Sequence, residues 1–262
     1  MDFKLLSVLE QDGVLYVKLN RSEKRNAVNI QLLDELKRCF VDVASEDSVG
    51  AVVISGEGKV FCAGTDLSEL GKVAGTSGQG FRSNLRKFQE AFSEIEYLEK
   101  AVIVAIHGCA IGAGLEMALA CDLRIASQEA MFSLPEVSIG VVPDLGGSQR
   151  LPRIVGVGRA KELILTGKAI SALDAERIGL VNKVVPLEDL QDTAMAWAKE
   201  IVNNRQLAVG LAKRNIDTCF GLSISEGIES VGAIQSLLIF GQDSEKEFNA
   251  RVEKRQANIK QK

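Results

Sequence analysis

Val102-Ile103-Val104-Ala105-Ile106 runs through His107 into Gly108-Cys109-Ala110-Ile111-Gly112-Ala113-Gly114-Leu115-Glu116, and Met117-Ala118-Leu119-Ala120 follows. The first run, apolar and largely β-branched, reads as a strand buried on both faces. The Met/Ala/Leu tail reads as a helix. Between them the chain delivers glycines and a carboxylate to the mouth of that helix. Glycine lets the backbone approach a ligand closely, and the first peptide N–H groups of a helix have no partner within it. Such a mouth stabilises negative charge on an oxygen. Glu116, one turn inside, is expected beside that oxygen, where it can move a proton. These are the parts needed to make and quench an enolate.

Working outward, Ala51-Val52-Val53-Ile54-Ser55 is a second apolar strand, followed by Gly56-Glu57-Gly58-Lys59-Val60-Phe61-Cys62-Ala63-Gly64-Thr65-Asp66-Leu67. This makes a second strand-to-helix turn able to present backbone N–H groups. Val14–Leu19 reads as a strand after the Asp12-Gly13 turn signal. Leu33, Leu36, Phe40 and Val43 recur at helical spacing over 29–44, and Leu85, Phe88, Phe92, Ile95 and Leu98 do so over 84–98. Strands and helices therefore alternate to about residue 135, an α/β signature. Beyond Gly146 the pattern is mostly helical, over 147–155, 158–166, 172–178, 187–204, 206–220, 223–240 and 243–257. Gly71, Gly75, Gly78 and Gly80 are expected to form a mobile loop.

Downstream, Pro135-Glu136 places a carboxylate in an apolar segment, and Asp144 follows just before Gly146-Gly147. Paired carboxylates in an apolar site can divide acid and base work, because burial raises the pKa of one or both. Asp144 has two readings: a further proton-transfer group, or the cap of the helix that starts near Gly146. Asp66 is read as a cap of the helix after it, His107 as a packing or backbone-bonding residue, and Asp122 as structural.

The net charge is 31 − 35 = −4, which argues against a general nucleic-acid surface. By mass scaling such a chain exposes ~11,000 Å² folded against ~41,000 Å² unfolded, so it can bury a large core alone. Cys39, Cys62, Cys109, Cys121 and Cys219 are widely spaced, and His107 is the only histidine. Neither a disulfide framework nor a zinc site is expected, which points to a reducing compartment, most simply the cytoplasm. Met1-Asp2-Phe3-Lys4 has no basic region leading into an apolar core, so no signal peptide is expected, and no apolar run approaches the ~20 residues of a membrane span.

Taken in order, the fragments resemble the crotonase family, the enoyl-CoA hydratase/isomerase superfamily. They are Leu19-Asn20-Arg21…Lys24-Arg25-Asn26-Ala27, Phe61–Leu67, His107-Gly108…Gly114-Leu115-Glu116…Ala120-Cys121-Asp122 and Pro135-Glu136…Gly140…Pro143…Gly146-Gly147…Arg150-Leu151. Leu165-Thr166-Gly167…Ala175…Gly179-Leu180-Val181 and Val184-Val185-Pro186 complete the series, which covers roughly residues 5–255.

The resemblance implies an α/β fold, a spiral of ββα turns making two near-perpendicular sheets. It divides the chain into a core binding acyl-CoA over 1–186 and a helical region over 187–262 for packing and assembly as a homotrimer or hexamer. It implies an oxyanion hole from the N–H groups of Thr65 and Ala113, with Glu116 activating water and Glu136 giving a proton to the α-carbon. Coenzyme A contacts fall on Lys24, Arg25, Ala27, Ala63, Asp66 and Leu67. The implied substrate is an acyl-CoA thioester and the implied reaction is hydration of a trans-2-enoyl-CoA, with no metal, no other cofactor, no nucleic acid and no membrane. Two alternatives remain: double-bond migration in an enoyl- or dienoyl-CoA using Glu136 and Asp144, and a non-catalytic binding protein on the same scaffold. The acyl pocket is expected around 69–95.

Overall fold

A computed structural model describes residues 3–69, 77–240, 248–250 and 252–253. In chain order the elements are β1 (Leu6–Gln11), β2 (Val14–Leu19), α1 (Ile30–Ala44), β3 (Ala51–Gly56), α2 (Gly78–Tyr97), β4 (Ala101–Ile106), β5 (Cys109–Ile111) and α3 (Ala113–Ala120). There follow β6 (Leu123–Ser127), β7 (Met131–Ser133), α4 (Gly147–Thr166), β8 (Ile170–Ser171), α5 (Ala172–Arg177), β9 (Lys183–Val185), α6 (Leu190–Val202), α7 (Gln206–Cys219) and α8 (Ile224–Phe240).

The strands form two sheets, in the orders β1-β2-β3-β4-β6-β9 and β5-β7-β8. Apart from the β1–β2 hairpin, every neighbour in the larger sheet is parallel, with Val52 opposite Val102 and Val104 opposite Arg124. The apolar runs of β3 and β4 follow from burial on both faces. Val52, Ile54, Val102, Val104 and Ile106 join the core formed with α1 and α2. The alternate residues Ala51, Val53, Ile103 and Ala105 meet Leu190, Ala194 and Ala198 of α6 on the other face. An alternating polar pattern would leave one of these cores open.

The chain divides into two compact units, Met1–Asn203 and Asn204–Lys262. The boundary therefore lies later than the expected 186/187, because α6 covers a sheet face instead of opening a separate helical region. The expected break between 155 and 158 is a kink within α4 at Gly156, whose φ and ψ are 77° and 157°. Gly71 and Gly75 lie outside the described residues, as does most of the expected helix 243–257. Gly78 and Gly80 correct the loop reading. They form the first turn of α2, where Ser77 accepts a hydrogen bond from Gly80 N–H at 3.2 Å and sets the start.

Candidate active site

Two chain segments run side by side into the site. Cys62 N–H donates to Cys109 O at 3.0 Å, and Ile111 N–H donates back to Cys62 O at 3.1 Å. Each then turns on a glycine with positive φ, +103° at Gly64 and +51° at Gly112. A β-carbon at Gly112 would lie 2.8 Å from Glu136 Oε1 and 3.9 Å from the Gly64 α-carbon, so no side chain fits between these groups. The turns deliver the N–H groups of Thr65 and Ala113. Among the described residues neither N–H has an acceptor within the chain. Ala113 opens α3, so its orphan N–H follows from helix geometry.

Glu116 lies on α3 and is 2% exposed. Its Oε1 accepts from the Leu145 and Gly147 N–H groups, both at 2.8 Å. This settles the capping question against Asp144: the first N–H of α4 is taken by Glu116, and the N-cap residue Gly146 offers no side chain. Burial first, and the charges of Glu136 and Asp144 with it, push the Glu116 carboxyl up to about 8 against the pull of the two N–H donors. Glu136 lies in the 3₁₀ turn Glu136–Ile139. It is half-buried, and its Oε2 has no hydrogen-bond partner among the described residues. Burial raises its pKa, its own N–H lowers it, and Asp144 adds to the rise. Asp144 is half-buried too; burial lifts its carboxyl against the bond to its own N–H. Three carboxylates therefore act on one another's charge in one low-dielectric place. Burial and mutual repulsion favour the protonated form of such a cluster, which suits it to proton transfer.

Beside it opens an apolar cleft of about 520 Å³, its open mouth included, lined by Val28, Leu33, Leu85, Phe88, Thr65 and Asp144 among others. Glu69, Phe81, Leu85 and Phe88 in that lining come from the stretch 69–95, around which the acyl pocket is expected.

The basic turn lies beside the same strands. Lys24 and Arg25 are exposed, Ala27 and Ala63 half-buried and Leu67 exposed. Ala63 N–H donates to Arg25 O at 3.0 Å, Val28 N–H to Gly64 O at 2.7 Å, and Asp66 N–H to Val28 O at 2.8 Å. The candidate contacts from 24–27 and 63–67 thus meet. Asp66 is committed within the protein: Oδ1 accepts from Ser68 N–H and hydroxyl, and Oδ2 pairs with Arg21 at 2.8 Å. The Ser68 hydroxyl first, then Arg21, holds its carboxyl down at about 2. Asp66 is therefore the cap that the residues suggested. His107 Nε2 lies 2.9 Å from Gly58 O, and Asp122 Oδ2 accepts from Val102 N–H at 2.7 Å, both structural as expected.

Sequence reasoning missed Asn26, which is fully buried. Its amide donates to Glu57 O and Val60 O at 2.9 Å each, and its Oδ1 accepts from Arg21 N–H. It adopts φ +55°, a region asparagine tolerates better than most residues. It also missed Arg150, which donates to Leu145 O at 2.9 Å and pairs with Glu96 at 2.6 Å.

Comparison with known proteins agrees with this architecture. The family model described as enoyl-CoA hydratase/isomerase matches residues 9–262. A short-chain-enoyl-CoA hydratase of Clostridium acetobutylicum is 39% identical over 250 residues, 95% of each chain. A crotonyl-CoA hydratase of Syntrophomonas wolfei is 38% identical over 256 residues, covering 97% of this chain and 96% of its own. The crystal structure of an enoyl-CoA hydratase from Bacillus anthracis superposes with a TM-score of 0.89 at 36% identity, covering 96% of this chain and 97% of that one. The fold is the two-sheet α/β crotonase fold, and the chain belongs to the enoyl-CoA hydratase/isomerase family.

Proposed function

We propose that the protein adds water to a trans-2-enoyl-CoA thioester to give a 3-hydroxyacyl-CoA. One observation carries this reading: two carboxylates whose pKa values burial raises, Glu116 and Glu136, adjoin a helix mouth whose Ala113 N–H is unused among the described residues. The thioester oxygen accepts from the Thr65 and Ala113 N–H groups, which are fixed before the reaction and need no reorganisation. Glu116, ionised, takes a proton from water as the water oxygen bonds to the β-carbon, and the electron pair moves to the thioester oxygen. Glu136 then gives its proton to the α-carbon as the carbonyl re-forms. Proton exchange with solvent resets both groups. The step is redox-neutral, and coenzyme A enters as part of the substrate.

Lys24 and Arg25 meet the coenzyme A phosphates, the backbone around Ala63 and Leu67 meets the adenine and pantetheine ends, and Asp66 shapes that turn. The acyl chain enters the apolar cleft. The relatives named as short-chain-enoyl-CoA and crotonyl-CoA hydratases support a short enoyl substrate. Crotonyl-CoA is therefore the test substrate: its conjugated thioester absorbance falls on hydration. Glu136→Gln, which keeps shape but not the proton, should lower that rate ~10²–10⁴-fold. A variant retaining more than a tenth of the wild-type rate removes Glu136 from the mechanism.

Double-bond isomerisation is the second reading, favoured by Asp144. Asp144 lines the cleft, burial raises the pKa of its carboxyl, and it is not the cap of α4. A homotrimer or hexamer is supported by exposed apolar side chains on α8: Ile224 is 84% and Phe240 85% exposed. On the same helix Val231 and Leu237 are exposed and Ile234 and Leu238 half-buried. Sedimentation equilibrium decides the stoichiometry. None of the five cysteines forms a disulfide, which supports a reducing compartment such as the cytoplasm. None of the described helices is long and apolar enough to cross a membrane.

A further inference from the structure

The two N–H groups that hold Glu116 are themselves held differently. Gly147 N–H belongs to the peptide whose carbonyl, Gly146 O, accepts from Gln149 N–H at 3.1 Å and Arg150 N–H at 2.9 Å within α4. Leu145 N–H belongs to the peptide whose carbonyl, Asp144 O, accepts from a side chain, Gln89 Nε2 on α2, at 2.7 Å. Gln89, the Asp144–Leu145 peptide and Glu116 Oε1 thus form one continuous chain of hydrogen bonds, 2.7 Å and 2.8 Å at its two links. We propose that Gln89 is a positioning residue for Glu116, acting through the Asp144–Leu145 peptide. This rests on Glu116 being the water-activating base.

Two physical effects operate. The bond to Asp144 O fixes the plane of the peptide, and so the direction of the N–H on its far side. It also polarises the amide, strengthening the donor opposite by ~10–30%. Both favour the ionised carboxylate and hold Oε1 in one orientation, leaving Oε2 for water. Gln89 directly follows Phe88 and lies one turn beyond Leu85, and both of these line the cleft. The helix that contacts the acyl chain therefore also aims the base. The charged groups around Glu116 are Glu136, Asp144 and the Glu96–Arg150 pair. None is altered by replacing Gln89.

The test compares Gln89→Met with Glu116→Gln in crotonyl-CoA hydration from pH 5 to 9. Gln89→Met preserves length and removes the donor; Gln89→Asn, one methylene short, breaks the same bond if the thioether variant fails to fold. The expected result is a kcat roughly 3–10-fold lower, the size of one net hydrogen bond, with KM unchanged within twofold. The acidic limb of kcat/KM should move to higher pH by roughly half a unit, because the charged form has lost support. If Glu116→Gln is inactive while Gln89→Met stays within twofold with its limb in place, the inference is overturned and the base reading stands. A lower kcat with a lowered melting temperature and an unmoved limb makes Gln89 merely structural and overturns it too. If Glu116→Gln retains more than a tenth of the rate, the base reading itself fails, and this inference with it.

Discussion

Glu116→Gln should change the pH dependence of stability as well as activity. In the folded protein the Glu116 carboxyl is raised from the ordinary 4.5 to about 8, chiefly by burial. A raised folded pKa means that the folded state binds the proton more tightly than the unfolded chain. The resulting stability is fully present below about 4.5 and is lost as pH rises through about 8. At ~1.4 kcal/mol per pH unit the ceiling is about 5 kcal/mol. The realised figure is smaller, because the adjoining cleft is open to solvent and Glu136 and Asp144 share the repulsion. Roughly 2–4 kcal/mol is expected between pH 5 and 9, or ~2–4 °C of melting temperature per kcal/mol. The amide cannot ionise, and its oxygen still accepts from Leu145 and Gly147. The variant should thus lose much less stability with rising pH and overtake the wild type near pH 9. Thermal melts at fixed protein concentration, one pH unit apart, read this directly. Parallel curves for the two proteins would refute the argument, since they would mean that Glu116 titrates alike in the folded and unfolded chains.

Other consequences concern activity. Ala113→Pro removes one oxyanion donor at the first helical position, where proline is tolerated, so hydration should fall ~10²–10³-fold with the fold retained by circular dichroism. Thr65→Ala should stay within threefold, because only its N–H is used; a large loss would bring the hydroxyl into the mechanism. Arg25→Ala should raise KM several-fold for crotonyl-CoA, the more so at low salt, and leave a thioester truncated at pantetheine unaffected. Asp144→Asn should suppress any isomerisation of a 3-enoyl- or 3,5-dienoyl-CoA by at least ~10²-fold while hydration falls much less; equal loss of both activities would count against a separate role for Asp144.

Legibility in the sequence followed the range of the interaction. β3, β4, α1 and the helix mouth at Ala113 were readable because their signals are local: continuous apolar runs, helical spacing, glycines at a turn. β1 was not read. Only Leu6 of its residues is buried, and an exposed edge strand carries little pattern. Gly78 and Gly80 suggested a loop because glycine disfavours helix interiors, yet the Ser77 cap and the burial of Ala91, Phe92 and Ile95 outweigh that preference. The compact units divide after α6 and not at 186/187, because a helical pattern does not say which face of which sheet it will cover.

Of the candidate site, the sequence offered residues but not their arrangement. Glu116 could be found because it lies one turn into a glycine-announced helix. That it replaces a cap at α4 could not be, since the contact joins α3 to a segment nearly thirty positions on, at Leu145 (|i−j| = 29). The same holds for Gln89, whose helical spacing marks it only as the neighbour of a core face, and for Arg150, one arginine among several. What sets these side chains apart is that each meets a carbonyl in the short segment Asp144–Gly146. That segment must turn through Gly146 at φ +110° and present two N–H groups to one buried carboxylate. A turn so committed to another residue cannot rely on its own sequence for shape. Part of its support comes from Arg150 and part from Gln89 on α2, the helix whose Leu85 and Phe88 line the cleft, so positioning through Gln89 would tie the orientation of Glu116 and the shape of the cleft to one element.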